Sequence, residues 1–83
     1  MQVIVTRNPE HPSYARLVIT DSAETVAAIA GGRETPDRPD AMRAAGRDFA
    51  REYGYELSPD GWTRRAAGGW CAQLTHEEGT DGP

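Results

Sequence analysis

The sequence predicts a small single-domain α+β fold with the element order β-β-α-α-β-β-β, and three observations predict it. Val3-Ile4-Val5 and residues 14–20 are β-branched or alternating apolar runs, and Met42, Ala45, Phe49 and Tyr53 recur at helical spacing. From Tyr55 onward the pattern returns to short strands punctuated by Gly- and Pro-bearing turns. At 83 residues the chain has room for one modest core, and the expected domain runs over residues 1–76 with a disordered tail at 77–83 that carries no apolar residue.

The first two strands read as a hairpin. In the second, Ala15, Leu17 and Ile19 share one face while Tyr14, Arg16 and Val18 share the other. Between the strands, Pro9 and Pro12 preclude ladder bonding, which leaves a stiff exposed loop that is itself a candidate contact surface. A first helix is expected from Asp21 or Ser22, either of which can cap it. Glu24 completes a capping box, Val26, Ile29 and Ala30 form the buried stripe, and Gly31-Gly32 is the stop. Residues 33–39 are charged and proline-broken, and read as a mobile connector.

The second helix, about residues 40–53, is the clearest element, and Gly54 ends it in the left-handed conformation. Gly46 beside its apolar stripe costs about 1 kcal/mol relative to Ala, which marks a close approach of another backbone. Ser58-Pro59-Asp60-Gly61 reads as a type I turn and Ala66-Ala67-Gly68-Gly69 as a second turn, so the C-terminal part is expected to be a three-stranded antiparallel meander.

Composition narrows the function classes. The formal charge of −4 gives no global attraction to nucleic acid or to an anionic membrane surface. A single cysteine, Cys71, allows no internal disulfide in a domain whose core is small, which points to a reducing, cytoplasmic setting. No apolar run is long enough to span a bilayer, and the N-terminus lacks the basic and apolar regions of a signal peptide. All nine basic residues are Arg, with abundant Ala, Gly, Pro and Asp, as in high-GC genomes such as those of actinobacteria and their phages. That codon bias weakens any argument that Arg was selected over Lys for its bidentate geometry.

Two features carry candidate binding chemistry. Arg43, Arg47 and Arg51 lie four apart and so share one helix face, where their repulsion works against the helix. Joined by Arg64 and Arg65 they would form an anion-facing ridge, while the simpler reading is a solvated face buffered by Asp40, Asp48 and Glu52. Trp62, Trp70, Tyr53 and Tyr55 crowd into one short region with Arg64 and Arg65, as in surfaces that stack bases or grip peptides. In a chain with few large aliphatics, packing in the core is the simpler role.

Catalytic, metal and cofactor sites are not expected. Cys71 has no neighbouring base in the sequence and reads as a buried, inert thiol, and His76, five residues on, falls on the opposite face of a regular strand. No His or Cys pair has zinc-ligand spacing, and the Gly pairs match neither a P-loop nor a dinucleotide fingerprint. The sequence therefore favours a non-catalytic binding or regulatory module that contacts another protein, with a homodimer among the contacts its sheet edges allow. The alternative is a nucleic-acid-binding regulator using the arginine ridge and the aromatic hairpin.

Overall fold

The computed structural model describes residues 1–21 and 27–76, which form one five-stranded antiparallel sheet with a single helix laid across one face. The elements are β1 (Gln2–Arg7), β2 (Tyr14–Thr20), β3 (Ala27–Glu34), α1 (Pro39–Glu52), β4 (Tyr55–Arg64) and β5 (Trp70–His76). Their order across the sheet is β3-β2-β1-β5-β4, so β3 and β4 are the two edges and α1 carries the chain from one to the other.

The hairpin of β1 and β2 forms as the alternation requires, with Val3 opposite Ile19 and Val5 opposite Leu17. Its loop is stiffened by Asn8, whose side-chain oxygen accepts the backbone N–H groups of Glu10 at 2.8 Å and His11 at 3.3 Å. Val3, Val5, Leu17 and Ile19 are wholly buried beneath α1, which contributes Met42, Ala45, Phe49 and Ala50, while Ala72 and Leu74 come from β5. The helix spans nearly the expected residues. Pro39 opens it, Asp40 complements the positive end of its dipole, Arg51 the negative end, and Gly54 leaves it at φ 86°. Tyr53, expected in the buried stripe, is instead the C-terminal cap residue and lies exposed, edge-on to Phe49 with ring centroids 5.3 Å apart. Gly46 does mark a close approach, but of side chains: a Cβ there would sit 2.5 Å from Val5 Cγ2 and 2.7 Å from Trp62 Cη2.

Three expectations are corrected, and the layout β-β-α-α-β-β-β becomes β-β-β-α-β-β. First, where the second half of a first helix was expected, residues 27–34 form β3, and Gly31-Gly32 lie within the strand. β3 pairs with β2 from Ile19 opposite Ile29 to Tyr14 opposite Glu34. The proposed start of that helix, at residues 22–26, lies outside the described residues, as does the tail at 77–83. Second, the connector is docked. Arg33 and Glu34 belong to β3, Thr35 is buried, and the Arg7 guanidinium donates to the carbonyl oxygens of Thr35 at 3.0 Å and Pro36 at 3.3 Å.

Third, the C-terminal part has two strands. Ser58-Pro59-Asp60-Gly61 does not reverse the chain but bulges out of β4, so that Leu57 pairs with Leu74 and Trp62 with Ala72 on the same partner strand. Gly61, at φ 77°, supplies the left-handed residue that closes the bulge. The reversal comes only at residues 65–69, where the Arg65 N–H donates to the Gly69 carbonyl at 3.0 Å. No helix among the described residues is long and apolar enough to cross a membrane.

Candidate functional site

Strand parity and helix placement together create a groove between α1 and β4. Trp70 faces the helix-covered side, opposite Val5 on β1 and Arg64 on β4. The Arg64 guanidinium carbon lies 5.6 Å from the centre of the Trp70 ring, and that of Arg43, reaching down from α1, lies 4.7 Å from it. One indole thus holds two guanidiniums, each within cation–π range. Stacking fixes both cations at low entropic cost while leaving their N–H groups available to an acceptor.

The groove consists of two pockets along α1 that share no lining residue and are linked by the contact of Arg43 with Trp70. The first, about 240 Å³, is lined by Arg7, Asp37, Met42, Arg64 and Trp70 among others. The second, about 230 Å³, is lined by Asp40, Arg43, Ala44, Arg47, Leu57 and Trp62. The acids in and beside the groove already have basic partners: Asp37 meets Arg7 at 3.1 Å, Asp40 meets Arg38 at 3.7 Å, and Asp48 meets Arg47 at 3.7 Å. Arg43 and Arg64 have no carboxylate partner among the described residues, so they are the groove's uncompensated charge.

Five of the seven residues singled out from the sequence therefore converge: Arg43, Arg47, Trp62, Arg64 and Trp70 all line the groove. Arg51 does not; it is exposed in the last turn of α1. Arg65 sits in the β4–β5 turn, where it donates to the Gly68 carbonyl at 3.4 Å. Trp62 is half-buried with its ring against Gly46, and Trp70 is half-buried under its arginines, so both also pack on the core.

Arg7 and Asp37 are groove residues that sequence reasoning missed. Arg7 lies at the end of β1 and holds the 8–13 loop to the segment before α1, donating to Pro12 at 2.8 Å, Thr35 at 3.0 Å and Asp37 at 3.1 Å. The signal was faint, because a lone Arg closing an apolar strand looks like any strand end. Cys71 is not the buried thiol expected. It is half-exposed on the uncovered face of the sheet, in register with Ile4 and Thr63. Among the described residues no three His, Cys, Asp or Glu side chains converge on a common point. The chain matches no protein-family profile, and neither a curated protein nor a solved structure is similar to it.

Proposed function

We propose that this chain is a non-catalytic binding module that acts by contact with another protein, taking an acidic segment of that partner into the groove between α1 and β4. The observation that carries the reading is the pair of guanidiniums held over Trp70, neither of which has a carboxylate partner among the described residues. Two like charges fixed against one ring are poorly placed for stability and well placed to receive an anion.

Carboxylates of a polypeptide suit the groove better than a run of phosphates. Asp37 and Asp40 line it among the arginines, which opposes a continuous polyanion but accommodates a partner with spaced acidic and apolar side chains. Met42 and Leu57 offer such a partner apolar contact. A base that stacked on Trp70 would compete with the two guanidiniums already held against that ring. Nucleic-acid binding is supported by the same two unpaired arginines and stands as the second reading.

An NMR titration with an oligoglutamate peptide tests the site. The indole N–H signals of Trp62 and Trp70 and the Nε–H signals of Arg43 and Arg64 should shift together and saturate, while Val18 and Cys71 on the other face stay still. The double substitution Arg43→Gln, Arg64→Gln should abolish the shifts and leave the fold intact. Shifts centred elsewhere, or unaltered by that substitution, would refute the groove as the contact.

A further inference from the structure

The two edges of the sheet are built differently. β4 is closed to further pairing by Pro59, which has no N–H, and by the excursion of residues 58–61 out of the ladder. β3 has no Pro, and its irregularity against β2 falls at its very start, between Ala27 and Ile29. It reads Ala-Ala-Ile-Ala-Gly-Gly-Arg-Glu and stays in unbroken register with β2 from Ile29 to Glu34.

The ladder fixes which groups β3 turns outward. Asn8 donates to the Tyr14 carbonyl at 3.1 Å and Thr35 to the Ser13 carbonyl at 2.9 Å, so the odd-numbered residues of β2 bond toward β3 and the even-numbered ones toward β1. Alternation along an antiparallel pair then leaves the N–H and C=O of Ala30, Gly32 and Glu34 aimed away from the sheet. Both large hydrophobic side chains exposed among the described residues border this edge. Tyr14, 42% exposed, is in register with Glu34 on the open face, and Tyr53, 48% exposed, meets edge-on Phe49, which lies over Gly31 on the covered face.

We infer that β3 is a homodimer interface, in which two copies of the chain join their β3 strands antiparallel about a two-fold axis at Gly32 to form one ten-stranded sheet. A two-fold axis perpendicular to the sheet keeps both helices on one side and requires facing residues of equal parity. Centring it on Gly32 sets Ala30 against Glu34 of the second copy and Gly31 against its Arg33, so the outward groups meet as bonded pairs. Shifting the centre to Arg33 would set two guanidiniums face to face, which is unfavourable. A second copy suits the edge because its outward groups are self-complementary about Gly32: the two-fold repeats each bonded pair, and the small Ala30, Gly31 and Gly32 let the two backbones approach. α1 lies mainly over β1 and β4, so it does not obstruct the approach. This inference rests on the edge and not on the groove.

Sedimentation velocity over a dilution series tests it. The unmodified protein should show reversible association to twice the mass of one chain. Ala30→Pro removes an outward N–H that β2 does not use, and should give a monomer with unchanged far-UV circular dichroism. Ala30→Lys, which puts a charge at the joint, serves the same purpose and decides the matter if the proline variant fails to fold. Thr63→Lys at the other edge should leave the dimer in place. In a mixed-label dimer an interchain Hα–Hα contact between Gly31 and Arg33 is expected. A protein that stays monomeric at every concentration, a dimer that survives in the folded Ala30 variants, or one lost on Thr63→Lys would overturn the inference.

Discussion

Gly46 illustrates how one position couples the helix to the sheet and to the groove. By helix propensity alone, Gly46→Ala would stabilise the chain by about 1 kcal/mol. A Cβ there, however, would run into Val5, which is wholly buried, and into the ring of Trp62, which lines the groove. Overpacking of a filled core costs about 1–3 kcal/mol. Val5 cannot retreat from its strand, whereas Trp62 is half-buried and can tilt. The net expectation for Gly46→Ala is therefore a loss of about 1 kcal/mol in a urea unfolding experiment, with an altered tryptophan emission from the displaced Trp62. An unchanged or raised stability would mean that the helix relaxes away from β1. The glycine itself was legible in the sequence as a close approach. That side chains rather than a backbone make the approach was not, because the facing residues come from β1 and β4, far away in the chain.

At the scale of elements, Arg7 anchors the segment that leads into α1. Its guanidinium gathers the Pro12, Tyr14, Thr35 and Pro36 carbonyls and the Asp37 carboxylate, tying the end of β1 to the loop before it turns into β2 and to the segment that leads into the helix. Its Nε is buried without a partner, which offsets part of the gain. Arg7→Lys keeps the charge but loses the planar fork, so unfolding free energy should fall by about 1–2 kcal/mol, and amide exchange at residues 35–38 should quicken. Unchanged protection there would mean that Thr35, buried on its own account, is what docks the segment.

The elements also separate what the sequence disclosed from what it hid. The β1–β2 hairpin and α1 were legible because each shows its own period: Leu17 and Ile19 alternate with Arg16 and Val18, and Met42, Ala45 and Phe49 return once per turn. β3 was illegible because Ala27, Ala28 and Ala30 favour a helix and Gly31-Gly32 resembles its stop. Pairing with β2, with Ile29 opposite Ile19, overrides a propensity of a few tenths of a kcal/mol per residue. Ser58-Pro59-Asp60-Gly61 has the chemistry of a turn, and local chemistry cannot tell a reversal from a bulge: which one forms depends on Leu57 and Trp62 both finding places on β5. The seven candidate residues are alike in type and lie close together in the sequence. Five meet in space because α1 crosses the sheet toward β4, a consequence of topology that no local pattern encodes.

Over the whole molecule, charge is distributed unevenly. The chain is acidic overall, with a formal charge of −4, yet the groove along α1 holds two arginines without acidic partners. The bulk charge repels polyanions at a distance, while an acidic group at contact would meet the two unpaired arginines, and the proposal of a short acidic stretch of polypeptide rests on that combination. Exposed charge contacts of this kind weaken with salt, since the Debye length is about 8 Å at physiological ionic strength. The most direct test is a pair of tryptophan-emission titrations of the unmodified protein at low and physiological salt, one with an oligoglutamate peptide and one with a single-stranded oligothymidylate. The peptide is predicted to shift the emission saturably, to bind more tightly than the oligonucleotide at both salts, and to lose affinity modestly with added salt. Tighter binding of the oligothymidylate, with affinity that falls steeply as salt is raised, would contradict the account and make nucleic acid the ligand of the groove.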